Sequence, residues 1–100
     1  MATLKWTLEA IERLKEIHEY IARDSPSAAD SVIDGIFERT QLLRTHPRIG
    51  QRYEAVVDRE VREILFGSFR IPYLVVDDAN IEILGVFHGA MEIERYLEDL

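Results

Sequence analysis

The spacing of apolar residues changes along this chain, and each change marks an element. Thr3 to Trp6 alternates over a short stretch and reads as an edge strand. From Leu8 the step lengthens: Ile11, Leu14, Ile17, Tyr20 and Ile21 recur every three or four residues, with Glu9, Glu12, Arg13, Lys15, Glu16 and Glu19 between them. That pattern predicts an amphipathic helix of about four turns. It closes near Asp24, because Pro26 disfavours helical geometry at Ser25. Ser25 and Pro26 then open a second helix, one as a cap and the other as a residue that needs no amide partner in the first turn. Its stripe runs through Ala29, Val32, Ile33, Ile36, Phe37, Thr40 and Leu43 and stops at His46-Pro47. So short a link makes the two helices an antiparallel hairpin.

Arg48 to Arg59 has no clean period and reads as a loop with room for one short strand. Beyond it, Val61–Leu65, Phe69–Val76 and Ile81–His88 are three strands, separated by a Gly67-Ser68 turn and an Asp77–Asn80 turn. Ile81–Val86 is nearly all apolar, which predicts a central strand covered on both faces. Met91 to Leu100 reads as a short acidic helix or tail. The expected fold is α+β, in the order β-α-α-β-β-β. An N-terminal strand and an antiparallel helix hairpin pack on a small antiparallel sheet, in one domain spanning residues 1–100.

Composition narrows the chemistry. The chain has 100 residues, is 47% hydrophobic and has no cysteine, so disulfides and thiolate metal sites are excluded. The N-terminus mixes charge through every turn and lacks the apolar run of a signal peptide or membrane span, so the expectation is a soluble cytoplasmic protein without a membrane partner. Net charge is −7, and most of it sits in residues 77–100, which carry net −6. Only two lysines are present. That balance weighs against a protein that grips a nucleic-acid backbone by itself. His18, His46 and His88 lack metal-ligand spacing, so neither a metal nor a cofactor is expected.

The motifs, taken in order, resemble the RelE/ParE toxin superfamily, and its ParE branch more closely. They are Ser25-Pro26-Ser27-Ala28-Ala29, Pro47-Arg48-Ile49-Gly50, Arg62-Glu63, Gly67-Ser68-Phe69-Arg70-Ile71-Pro72-Tyr73-Leu74-Val75, and Ile81 to His88-Gly89. Each is weak alone; the ordered set spans almost the whole chain. The resemblance implies the toxin half of a type II toxin–antitoxin pair, held as a hetero-oligomer by a ParD-like antitoxin. ParE-like members poison DNA gyrase by binding, whereas RelE-like members cut messenger RNA on the ribosome. Shared fold does not decide between these targets. A third reading is an inactive antitoxin-binding relic, favoured by the acidic tail and by Met91, which stands where several members carry arginine.

Candidate residues follow. Arg62, Arg70, Tyr73 and His88 are the expected target contacts, and His88 is also the candidate proton-transfer residue if the chain is a nuclease. The competing expectation for the arginines is cross-strand pairing with Glu60, Glu63 or Glu82. Trp6, Phe37, Phe69 and Tyr73 are expected in the core. Ile21, Val32, Ile36 and Phe87 are expected to leave an apolar groove for an amphipathic antitoxin helix. Because this chain is acidic, that helix should carry Arg or Lys on its contacting face.

Overall fold

The computed structural model describes residues 1–89 together with Ile93 and Leu97. Strand β1 (Thr3–Trp6) leads into helix α1 (Leu8–Ala22), whose first turn is capped by the Thr7 hydroxyl accepting the Ala10 N–H at 3.1 Å. Helix α2 (Pro26–Gln41) starts in the same way, with the Ser25 hydroxyl accepting from the Ala28 N–H at 3.2 Å and Pro26 in the first turn. A 3₁₀ turn, Leu42–Arg44, finishes it. Five strands follow: β2 (Gln51–Arg52), β3 (Val61–Phe66), β4 (Phe69–Asp77), β5 (Asn80–Ile83) and β6 (Phe87–His88). They join β1 in a six-stranded sheet of order β1-β5-β4-β3-β2, with β6 alongside β4.

The α+β order and the edge position of β1 are as the pattern requires, but the sheet is mixed. β1 runs parallel to β5, pairing Leu4 with Ile81 and Trp6 with Ile83. The hydrophobic pattern reports which residues are buried; it says nothing of strand direction. The helix hairpin between β1 and the other strands carries the chain back so that a parallel pairing becomes available.

The stretch Ile81–His88 is two strands rather than one. Tyr73 pairs with Ile83 and Arg70 with Phe87. Two residues of β4 therefore face three of the other chain segment, a bulge. Pro72 accounts for the break. Its carbonyl accepts the Leu84 N–H at 3.0 Å, but its ring nitrogen has no hydrogen to donate in return. At the other end of the β3–β4 hairpin, Gly67 has a φ of 56°, the positive value that a tight two-residue turn places on its first central residue.

Two apolar clusters hold the sheet, one on each face. On the helix side, Ala10 and Ile36 pack with Ile64, Ile71, Tyr73, Val75, Ile81 and Ile83. On the other side, Val61, Leu84 and Phe87 pack with Ile93 and Leu97, which are helical and one turn apart. The expected C-terminal element is therefore represented by these two residues; Met91 and the rest of the tail lie outside the described residues. Phe37, expected in the core, is 51% exposed, and Trp6 and Phe69 are only half-buried. Phe37 follows the fully buried Ile36 in a helix, so it turns some 100° away from the core-facing line.

Candidate functional site

β4 runs between two different surfaces. At its start, α1 and the sheet leave a groove of about 660 Å³, lined by Arg13, Ile17, Tyr20 and Ile21 from α1 and by Phe69, Val86 and His88 from the sheet. The helical period explains the α1 set: Arg13, Ile17, Tyr20 and Ile21 share one side of the helix. His88 is exposed here, its ring edge-on to Phe69 at 5.9 Å between centroids. The groove is mostly apolar, with Glu16 and Arg13 on its lining. Arg13 also lies over the Phe87 ring, 4.7 Å from its centroid, a cation–π contact.

At the other end of β4 stands a polar lattice. Arg62 Nε donates to Glu60 at 2.7 Å, and Arg62 Nη1 donates to the Gly50 carbonyl at 2.8 Å. Arg48 Nε donates to the same Glu60 carboxylate at 3.0 Å, and Arg48 Nη1 to Asp78 at 2.7 Å. The Arg62 hydrogen bond, joined by Arg48, holds the Glu60 carboxyl below its usual range despite partial burial. Tyr73 is fully buried beneath this lattice. Its hydroxyl donates to the Pro47 carbonyl at 2.9 Å and accepts the Gly50 N–H at 3.0 Å. Burial pushes its phenol above the ordinary value, so it remains the neutral donor that Pro47 requires. A Cβ at residue 50 would overlap the Glu63 carbonyl oxygen and crowd the Tyr73 hydroxyl, which is why glycine stands there.

Arg70 belongs to neither end. The pairs Arg62–Tyr73 and Leu65–Arg70 put Arg62 on the helix side of the sheet and Arg70 on the opposite side. Arg70 Nε donates to Glu63 at 2.9 Å and Nη2 donates to the Tyr53 hydroxyl at 2.8 Å, while Tyr53 also donates to Glu63.

The expected site residues therefore separate. Arg62 and Arg70 do not share a surface, and each is bound to a carboxylate, the competing expectation. Tyr73 cannot present its hydroxyl to a target, because both of its hydrogen bonds are made inside the fold. Ile36 is fully enclosed and Phe87 is 2% exposed, so neither lines a groove; the α1–α2 packing covers one and the second apolar cluster covers the other. Val32 is half-buried against the helix-side core. Ile21 and His88, expected at different partners, meet in one groove. Sequence reasoning missed Arg13, Ile17, Tyr20 and Val86 as groove residues. Tyr20 carried the available signal, as an aromatic residue at the margin of the α1 stripe. Among the described residues, no three His, Cys, Asp or Glu side chains gather to hold a metal ion. No described helix is long and apolar enough to cross a membrane.

Comparison with known proteins accords with this architecture. The family described as "ParE toxin of type II toxin-antitoxin system, parDE" matches residues 4–93. "Putative toxin Y4kP" of Sinorhizobium fredii (strain NBRC 101917 / NGR234) is 34% identical over 96 residues, covering 94% of this chain and 95% of that protein. A solved structure, "Chromosomal ParDE TA system from P. aeruginosa", superposes with a TM-score of 0.72 at 26% identity. It covers 88% of this chain and 96% of its own. A match across nearly the whole length, a curated relative and a shared fold agree: the chain belongs to the ParE toxin family of type II toxin–antitoxin systems.

Proposed function

We propose that this chain is a toxin that inhibits DNA gyrase by binding, trapping the enzyme with its DNA cut, and that a ParD-like antitoxin neutralises it in the cytoplasm. The observation that carries a binding mode over RNA cleavage is the state of Arg62 and Arg70. Cleavage by 2′-hydroxyl attack needs cations gathered around one phosphate, beside a proton donor and acceptor. Here the two arginines lie on opposite sheet faces, each hydrogen-bonded to a carboxylate, and His88 pairs with Phe69, four residues along β4 from Tyr73, the partner of Arg62. No single phosphate could meet all three.

The antitoxin seat is the groove between α1 and β6. Ile17, Tyr20, Ile21, Phe69 and Val86 offer the apolar lining that an amphipathic helix buries, and Tyr20 is 71% exposed and available to such a partner. Glu9, Glu12, Glu16 and Glu19 are exposed on α1, which favours a helix carrying Arg or Lys. Ile21 keeps the role expected from its place on the α1 stripe; Ile17, Tyr20 and Val86 take the places of Ile36 and Phe87.

The deciding experiment adds the purified chain to gyrase and supercoiled plasmid, then counts linear DNA after protease treatment. Accumulation of linear DNA is the expected result. In cells, induction without antitoxin should stop DNA synthesis before protein synthesis. An early halt in translation with gyrase unaffected would replace this reading with the nuclease.

A further inference from the structure

One edge of the sheet is left unfinished. Strand β3 has six residues, whereas its outer neighbour β2 has two, which pair Gln51 with Glu63 and Arg52 with Arg62. Gly50 accounts for the early stop. Its N–H is taken by the Tyr73 hydroxyl at 3.0 Å, which draws the chain off the edge towards the helix-side core. The outer edge of β3 is therefore open from Ile64 to Phe66.

Backbone groups along a strand point alternately to its two neighbours. The Val61 carbonyl accepts the Tyr53 N–H at 2.9 Å on the outer side, so Val61, Glu63 and Leu65 share that direction. Leu65 thus turns both its N–H and its carbonyl outward, at the open stretch. The carbonyl receives Arg39 Nε at 3.0 Å, reaching across from α2. The N–H meets no acceptor among the described residues. Around this pair lies a cleft of about 240 Å³, lined by Arg39, Ile49, Gly50, Glu63 and Leu65 among others. Ile49 is 53% exposed and Leu65 54%. The frame is rigid, because α2 passes so near the end of β3 that a Cβ on Gly35 would overlap the Phe66 ring.

We propose that this open edge is a docking site for an extended peptide segment of a partner protein, with an apolar residue beside an acidic one. An extended segment brings the acceptor and donor that Leu65 lacks, whereas a helix has spent its backbone groups internally. The Leu65 side chain lies on the face that carries Val61, away from the helices, so the residue opposite it should be apolar. The neighbours of that residue point to the helix side, where the terminal nitrogens of Arg39 meet a carboxylate. β3 and β6 flank β4 on opposite sides, so the site is separate from the α1 groove. It depends on neither the gyrase nor the antitoxin assignment.

The test adds a fluorescein-labelled, end-blocked peptide, Thr-Val-Glu-Val-Thr, to the full chain. Fluorescence polarisation follows binding, and NMR amide exchange follows the Leu65 N–H. Saturable binding is expected, with exchange of that amide slowed about tenfold. Leu65→Pro removes the outward N–H without breaking a bond inside the fold, so it should abolish binding while Leu65→Ala retains part of it. Arg39→Gln should weaken this peptide about tenfold and leave its glutamine counterpart unaffected. Amide exchange in the native chain needs no variant, so it judges the site even where Leu65→Pro unfolds. No binding at about 1 mM peptide, unprotected Leu65, or binding that a folded Leu65→Pro leaves intact would each overturn the proposal. Tighter binding by Arg39→Gln would also overturn it, making Arg39 a guard of the edge. Self-association of the native chain that Leu65→Pro abolishes would replace the peptide with a second copy of this chain.

Discussion

The two ends of β4 solve opposite problems. Near Phe69, the sheet and α1 leave apolar side chains incompletely covered, and the groove between them is lined chiefly by Ile17, Tyr20, Ile21, Phe69 and Val86. Near Asp77, charged and polar side chains are linked tightly to one another, and the backbone they hold is irregular. Apolar surface without a partner is a recognition feature that water itself makes sticky. A polar lattice at a surface contributes little through its ion pairs, because solvent screens them. What it supplies is geometry. One end is suited to receive a helix, the other to present a fixed set of side chains.

The largest expected effect tests whether the second apolar cluster and the groove are energetically distinct. Phe87→Ala removes a buried ring from the second apolar cluster and from under Arg13, and should cost about 3–5 kcal/mol in urea unfolding. Tyr20→Ala, at the groove margin, should stay within about 0.5 kcal/mol of the native chain while weakening antitoxin capture. Equal losses in the two variants would mean that Tyr20 is part of the core. At the other end, Tyr73→Phe leaves the Gly50 N–H and the Pro47 carbonyl without their shared partner. It should cost about 1–3 kcal/mol in urea unfolding, and an unchanged midpoint would mean that other groups satisfy both atoms.

The smallest effect is a pH dependence. Glu60 has a folded-state pKa below its ordinary 4.5, chiefly through Arg62, so its ionised form favours the fold. That contribution is fully present above the ordinary value and is lost as pH falls through the lower folded one. Glu60→Gln should therefore flatten the acid limb of the stability profile below about pH 4.5, as followed by urea melts between neutral and acid pH. An unchanged limb would place the acid sensitivity elsewhere, with Asp77, lowered by Asn80 and Ala79, as the next group to replace.

Most elements were legible because their signals are local. Ser25-Pro26 and Gly67-Ser68 announce a cap and a turn by their own chemistry, and helix periodicity needs only neighbours a few residues apart. Strand direction was not legible, since Leu4 meets Ile81 across the whole chain. The candidate site was legible in part. Arg62 and Arg70 were conspicuous, but a one-dimensional pattern does not reveal that eight positions and a hairpin turn leave them on opposite faces. Tyr73 looks the same in sequence whether its hydroxyl meets solvent or Pro47. Ile36 and Ile21 carry the same residue type in matching stripes; only packing separates the buried one from the groove-lining one.

The parallel pairing of β1 with β5 also sets a schedule for the protein's birth. The first strand made must wait for Asn80–Ile83 before its ladder can form, and the far sheet face waits longer still, for Ile93 and Leu97. A nascent chain therefore lacks its edge strand's partner until Asn80–Ile83 is made, and two of the five buried residues of its second core until Ile93 and Leu97 are made.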